Sequence, residues 1–369
     1  MSRSDRPVSI VLAGGGTAGH TSPLIATAEE LRRLDPAVRL TAVGTARGLE
    51  TIVVPAAGLK LELFPPVPMP RRPGRDLMMV GPRLARAIGA TIRLLRRLEA
   101  DVVLGFGGYV ATPAYLAARR LGIPIVVHEQ NVLPGLANKL AARITPHVYT
   151  SFPQTPLPHA SCIGLPLRRG IADLDRAALR DQARESFELA PGLPTVLVSG
   201  GSQGARSINT AALGARDRLL AAGIQMLHVV GPKNLSADTT RMVDAGTGAV
   251  YAPVSYVEKM ELGYAAADLM LGRCGAGTVL ETAAVGLPAV FMPYPYGNGE
   301  QARNAELVVK VGGGLLLADA DCTAEWVANE IPALIHHPDR LAGMTEALHG
   351  VARSDAATVL ASRVLEVRH

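Results

Sequence analysis

The stretch Val8 to Pro23, VSIVLAGGGTAGHTSP, decides how the rest of the chain is read. Val8-Ser9-Ile10-Val11-Leu12 is an apolar run of strand length, and Gly14, Gly16 and Gly19 follow it at the spacing of a dinucleotide fingerprint. Ser22 has N-cap chemistry and Pro23 suits a first helical position. Leu24, Ala28 and Leu31 then recur on one helical face until Asp35-Pro36 stops the run. Strand, glycine turn and helix open a doubly wound α/β sheet. A nicotinamide dinucleotide would also need an acid at the end of the next strand to hold its ribose diol. That strand, Arg39 to Gly44, runs instead into Thr45-Ala46-Arg47, so an oxidoreductase lacks half of its signature.

The same alternation continues outward. Apolar strands are expected at Val8 to Ala13, Arg39 to Gly44, Leu59 to Phe64, Asp101 to Phe106, Ile123 to His128 and His147 to Ser151, with helical stretches between them. A second series follows at Thr195 to Ser199, Gln225 to Val230, Ala249 to Pro253, Asp268 to Gly272, Ala289 to Pro293 and Gly314 to Ala318, and helices alone fill the chain from Thr323. Strands alternating with helices imply parallel sheets covered on both faces. A chain of 369 residues suits two such domains, each large enough for its own core. The expected division is 1–163, a hinge at 164–170 with the composition GLPLRRG, 171–345, and terminal helices at 346–369 that pack back on the first domain. The fold class is therefore α/β, with two Rossmann-like parallel-sheet domains facing a cleft.

No window approaches the roughly 18 consecutive apolar residues of a spanning helix, and MSRSDRP lacks a signal-peptide core, which points to a cytosolic protein. Cys162, Cys274 and Cys322 lie far apart and form no C-x-x-C pair, so neither a disulfide framework nor a zinc site is expected. Charge is uneven. Residues 1–165 hold 19 Lys and Arg against 10 Asp and Glu, a balance of +9, and the remainder carries −4. The excess concentrates between Arg71 and Arg97, where eight arginines meet one acid, Asp76. Aromatic residues are too scarce there to stack bases, which argues against nucleic acid. With Leu77, Met78, Met79 and Val80 beside them, the arginines read either as a solvated face or as a surface for an anionic membrane.

Each domain opens with a glycine turn after its first strand. In the second it is SGGSQGARSIN, Ser199 to Asn209, whose amides and following helix suit a phosphate. A third segment, GRCGAGTVLETAAVGLP from Gly272 to Pro288, opens a helix near Thr278 with Glu281 expected in its first turn. There a carboxylate complements the helix dipole, and it is also placed to accept both hydroxyls of a ribose whose diphosphate lies on nearby amides. Together with Gln301 downstream, this favours a nucleotide sugar over a dinucleotide. No strand-end Asp-x-Asp offers a metal cage, which leaves leaving-group charge to helix N-termini and an arginine such as Arg168.

In their order and spacing, GGGTAGH, GFGGYVATP, HEQNVLPGLANKLAARI, GLPLR, GGSQGARSIN, RCGAGTVLETAAVGLP and GNGEQARNA resemble the MurG family over nearly the whole chain. These are undecaprenyl-diphospho-muramoylpentapeptide N-acetylglucosaminyltransferases of the GT-B fold. The resemblance implies transfer of GlcNAc from UDP-GlcNAc to the muramoyl C4 hydroxyl of lipid I. The product is lipid II, formed with inversion and without a required metal or cofactor. Donor contacts carried over from the family are Thr17, Ala18, Gly19, Asn131, Arg168 and Ser202, the backbone at Val257, and Ala276, Gly277, Thr278, Val279 and Leu280 through backbone groups. Glu281 would bind the ribose and Gln301 the sugar. The implied partners are UDP-GlcNAc, lipid I, an anionic membrane surface on the cytoplasmic side and other cell-wall enzymes. Ala18 stands where the family has glycine, Leu165 where it has Asn, and Asn298 where many members have Asp.

His20, beside the first glycine loop, is the candidate general base, since a neutral imidazole accepts a hydroxyl proton near pH 7; it could instead bind the acceptor diphosphate. His128 and Glu129, at a strand's carboxyl end, are runners-up. A nucleotide-sugar epimerase of the same architecture, an NAD(P)-dependent oxidoreductase and a catalytically idle adaptor are the competing functions.

Overall fold

The computed structural model describes residues 6–46, 48–64, 80–201, 204–236 and 239–367. The chain forms two compact units, Met1–Arg168 with Ser354–His369, and Arg169–Arg353.

Among the described residues, the first unit holds seven strands: β1 (Ser9–Gly14), β2 (Arg39–Gly44), β3 (Lys60–Leu63), β4 (Val102–Gly107), β5 (Ile125–Glu129), β6 (Val148–Thr150) and β7 (Ala160–Cys162). All pair in parallel, in the order β3-β2-β1-β4-β5-β6-β7. Residues of β1 and β4 are buried throughout, as strands covered on both faces must be. Their side chains divide by the period of two. Ile10, Leu12, Val102 and Leu104 pack with Leu24 and Leu31, whereas Val11, Ala13 and Val103 pack with Ala114 and Tyr115. The final helix, Ala356–Glu366, completes the former face with Leu360, Ala361 and Val364. Its Thr358 hydroxyl donates to the buried Glu30 carboxylate at 3.0 Å.

The second unit repeats the plan with β8 (Thr195–Ser199), β9 (Gln225–Val229), β10 (Met242–Val243), β11 (Val250–Val254), β12 (Leu269–Arg273), β13 (Ala289–Met292) and β14 (Gly314–Leu316), ordered β10-β11-β9-β8-β12-β13-β14. Every pair is parallel except β10 with β11. The twelve expected strands all appear, with ends within two residues. The two edge strands β7 and β10 were not expected, because Ala160-Ser161-Cys162 and a two-residue strand carry no apolar run for a pattern to detect.

One local expectation fails. The first helix spans Ala18–Leu34 with Thr17 at its N-cap position, so Ser22 is not the cap and Pro23 lies inside the helix. Gly16, at φ +90°, turns the chain, and Thr17 in extended conformation lets the helix start at once. Proline at the sixth helical position removes one early hydrogen bond, the one that the Gly19 carbonyl would accept.

Candidate functional site

In each sheet the strand order reverses beside the unit's first strand, between β1 and β4 and between β8 and β12. Open α/β sheets bind ligands outside the carboxyl ends of the strands at such a point. In the first unit this places the loop Gly14–Thr17, the start of helix Ala18–Leu34 and the loop after β4 together. Gly108, at φ +78°, approaches so closely that a Cβ there would stand 2.9 Å from the Gly15 carbonyl.

Gly16, Thr17, Ala18 and Gly19 are exposed and His20 is half-buried. The Ala18 methyl therefore meets solvent, which explains why the loop tolerates it. His20 and Thr21 both donate their amides to the Thr17 carbonyl at 3.2 Å, and helix geometry leaves the amides of Ala18 and Gly19 without intrahelical acceptors. His20 Nδ1 lies 3.0 Å from Thr17 Oγ1. Desolvation holds the imidazole below its ordinary value, against the opposing charge of Glu50 and a hydrogen bond with the Gly15 backbone. The ring is therefore neutral near pH 7, as a base must be. The Gly16 amide, which a phosphate loop would present to its ligand, already donates to the Glu50 carboxylate at 2.8 Å.

Burial removes the two runners-up. His128 is 0% exposed, its Nε2 donates to the Gly164 carbonyl at 2.9 Å, and its Nδ1 accepts from Gln130; burial pushes it down to about 4. Glu129, 2% exposed, accepts from the amides of Asn131 and Gly135 and from the Asn138 side chain. The pair shapes the loop 130–135, and Asn131 belongs to it through a further side-chain bond to Glu129. Arg168 is half-buried; desolvation raises the Glu29 carboxyl and the nearby Arg168 charge opposes that rise, and Arg168 Nε has no hydrogen-bond partner. Leu165 is buried at 4% exposure, which suits an apolar residue where the family has Asn.

In the second unit, Ser202 lies outside the described residues. The third glycine segment folds as β12 followed by Gly275 at the N-cap of helix Ala276–Ala284. Glu281 is its sixth residue, so it stands in the second turn rather than the first, and a cap-like interaction with the dipole no longer explains it. The Val279 amide donates to the Gly275 carbonyl at 3.0 Å, and the side chains of Val279 and Leu280 are buried. The amides that helix geometry leaves without intrahelical acceptors are those of Ala276, Gly277 and Thr278.

Glu281 is half-buried, and the Tyr264 hydroxyl donates to its Oε2 at 2.7 Å. Tyr264, 1% exposed, comes from helix Met260–Ala266. That helix is held in turn by Arg176, which donates to the carbonyls of Tyr264, Ala267 and Gly286. Arg180 and Arg184 pair with Asp268 at 2.5 and 3.0 Å. Sequence reasoning missed Tyr264 and Arg176, because nothing about a lone Tyr or Arg announces a partner 17 or more residues away. Val257 is buried just beyond β11. Gln301 Oε1 accepts from the Tyr294 amide at 3.0 Å, and Asn298 Oδ1 accepts from the Glu300 amide at 3.2 Å, a helix-entry role that Asp would fill equally. Among the described residues, no three of His, Cys, Asp and Glu converge as metal ligands would.

A model of the glycosyltransferase family 28 N-terminal domain matches residues 10–150, and one of the family 28 C-terminal domain matches residues 195–360. A protein of Nocardioides sp. (strain ATCC BAA-499 / JS614) is 54% identical over 358 residues, covering 97% of this chain and 98% of its own. One of Streptomyces avermitilis is 53% identical over 357 residues, with 97% and 98% covered. Both bear the name UDP-N-acetylglucosamine--N-acetylmuramyl-(pentapeptide) pyrophosphoryl-undecaprenol N-acetylglucosamine transferase. Among solved structures, MurG of Acinetobacter baumannii superposes with a TM-score of 0.76 at 25% identity, covering 98% of this chain and 100% of that one. A calicheamicin glycosyltransferase, 18% identical with a TM-score of 0.65 and 98% and 99% covered, shares the fold.

Proposed function

This chain belongs to glycosyltransferase family 28, and from that premise we propose that it is a MurG-type transferase that moves GlcNAc from UDP-GlcNAc to the muramoyl C4 hydroxyl of lipid I, forming lipid II. The observation that carries the reading is identity of 54% over 97% of the chain with a transferase of that name. The epimerase alternative has no support from these relatives, and the oxidoreductase finds a glutamate, Glu50, on the amide that its cofactor phosphate would need.

In the proposed reaction the C4 hydroxyl oxygen attacks the anomeric carbon from the face opposite UDP, the bond from that carbon to the phosphate oxygen breaks, and the hydroxyl proton passes to His20. Thr17 Oγ1 lies against Nδ1, and the unprotonated nitrogen of the neutral imidazole takes it. A buried negative charge directly beneath the loop disfavours a phosphate at Gly16, which supports His20 as base over a diphosphate ligand. Thr17, Ala18 and Gly19 line the reacting sugar, with Asn131 behind them. The charge developing on UDP meets the amides of Ala276, Gly277 and Thr278. The family resemblance assigns Arg168 to the donor as well, and its unpartnered Nε supports that role. Glu281 accepts the ribose hydroxyls, Val257 borders the base, and Val279 and Leu280 back the nucleotide. Ser202 and Gln301 complete the donor site on the family resemblance.

The acceptor is lipid-linked, so the enzyme works at a bilayer, peripherally on its cytoplasmic face. No described helix is long and apolar enough to cross a membrane. Helix Val80–Arg97 exposes Arg86, Arg93 and Arg96, and supports an anionic docking surface on this unit; Arg71 to Met79 lie outside the described residues. Other cell-wall enzymes are further partners under this reading. The test is release of UDP from UDP-GlcNAc with and without lipid I. Release that requires lipid I is expected, and release or isomerisation that ignores it would overturn the assignment.

A further inference from the structure

Glu50 has no part in the reaction described above, yet its placement is unusual. It begins the short helix Glu50–Ala56 and is 0% exposed. Its oxygens collect three donors from the carboxyl ends of two adjacent strands, the Gly16 amide at 2.8 Å, the Thr45 amide at 3.0 Å and the Thr45 hydroxyl at 3.2 Å. Three glycines make room for it. A Cβ on Gly15 would stand 2.7 Å from its carboxyl carbon, one on Gly44 2.5 Å from its Cγ, and one on Gly48 would collide with the carboxylate. A buried carboxylate is costly unless its lone pairs are filled, so the fold tolerates this one only with the loop in a single conformation. That conformation sets Gly16 at φ +90° and Thr17 extended, from which His20 follows as the third helical residue.

We propose that Glu50 is a positioning residue for transfer: its carboxylate clamps the Gly16 turn that carries His20, and supplies the negative charge that the imidazolium meets when His20 takes the acceptor proton. This rests on His20 being the base. Among the described residues, the Thr17 hydroxyl at its own helix start, the Gly15 backbone and Gly108 from the loop after β4 lie against the ring, and the charge of Glu50, from helix Glu50–Ala56, acts on it. Desolvation lowers the imidazole, and among the opposing influences the charge of Glu50 is the larger. Activity that needs neutral His20 is lost as pH falls through its lowered value. Removing the Glu50 charge lowers that value further, so the acid limb of kcat/KM moves to lower pH.

The experiment is a double-mutant cycle with pH profiles, measured on full-length enzyme whose folding is checked by circular dichroism. Glu50→Gln is expected to lower kcat about tenfold or more, to change KM for UDP-GlcNAc less than about twofold, and to move the acid limb downward, while in a His20→Ala background it changes kcat little. Glu50→Asp keeps the charge, so it should keep the limb while losing part of kcat to the shorter reach. Equal losses in both backgrounds, or an unmoved limb, would make Glu50 a merely structural acid. If Glu50→Gln does not fold, Glu50→Asp decides: a kcat equal to that of the parent overturns the proposal. A His20→Ala enzyme that turns over at the parent rate would instead sink the base assignment, a result distinct from either.

Discussion

The glycine turns after β1 and after β12 each stand beside a carboxylate, and the two carboxylates are placed differently. Beside the first turn, Glu50 points inward, fully buried, and spends its oxygens on backbone amides. Beside the turn after β12, Glu281 stands half-buried on the second turn of its helix, steered by one tyrosine hydroxyl. The inward acid makes a rigid turn and keeps a second negative charge away from the amide it occupies. Under the proposed reading, the half-buried acid leaves three helix-start amides for phosphate and is the acceptor for a diol. A glycine turn followed by a helix is therefore a scaffold, and under the proposed reading the placement of the nearby acid separates a turn that positions a proton acceptor from one that binds a nucleotide.

The largest expected contrast comes from His20→Ala, which should reduce turnover about a hundredfold to ten-thousandfold while leaving UDP-GlcNAc affinity nearly unchanged. Steady-state kinetics at saturating acceptor check it. Collapse of acceptor affinity with normal turnover would make His20 a binding residue and erase the functional difference between the turns.

Glu281→Ala tests the other side. Each ribose hydrogen bond to a carboxylate is worth about 1.5 to 3 kcal/mol, so the mutant should bind UDP much more weakly and discriminate poorly between UDP and its 2′-deoxy analogue. Calorimetry with both ligands reads this directly. Full discrimination surviving in the mutant would show that Glu281 is not the diol acceptor.

Charge separates the units as well, and replacing Arg83, Arg86 and Arg93 with Ser sharpens that difference. Each basic group near an anionic surface contributes about 1 kcal/mol, so cosedimentation with anionic vesicles should fall, less so with neutral ones, and high salt should mimic the loss. Activity on a short-chain soluble acceptor should persist. Vesicle binding equal to that of the parent would identify this helix face as merely solvated.

The smallest effect is expected for Tyr264→Phe. It removes the hydroxyl that orients Glu281 without touching a ligand, and should weaken UDP by about 1 kcal/mol, roughly fivefold, with kcat at saturating donor kept. An effect as large as that of Glu281→Ala would mean that the tyrosine itself contacts the nucleotide.

Periodicity, glycine spacing and ordered motifs were enough to read twelve of the fourteen strands, the two-unit plan and the family, because these are local signals: an apolar run is buried whichever neighbour covers it. Helix starts were less legible. Ser22-Pro23 carries the right chemistry for a start, but the turn at Gly16 begins the helix five residues earlier, and Glu281 sits one turn deeper than its sequence neighbours suggested. His128 and Glu129 looked reactive in the string HEQN and proved to be fully engaged inside the fold.

By itself the sequence determined which residue types stand near each strand end, and so the class of chemistry. Only the tertiary structure decided which of them are buried and bonded and which stand open. Glu50 reaches Gly16 across 34 residues, Tyr264 reaches Glu281 across 17, and Arg176 reaches the Gly286 carbonyl across 110. Such pairings depend on strand order and on the close approach of glycine backbones, so a carboxylate's direction is settled by what surrounds it in space rather than by what precedes it in the chain.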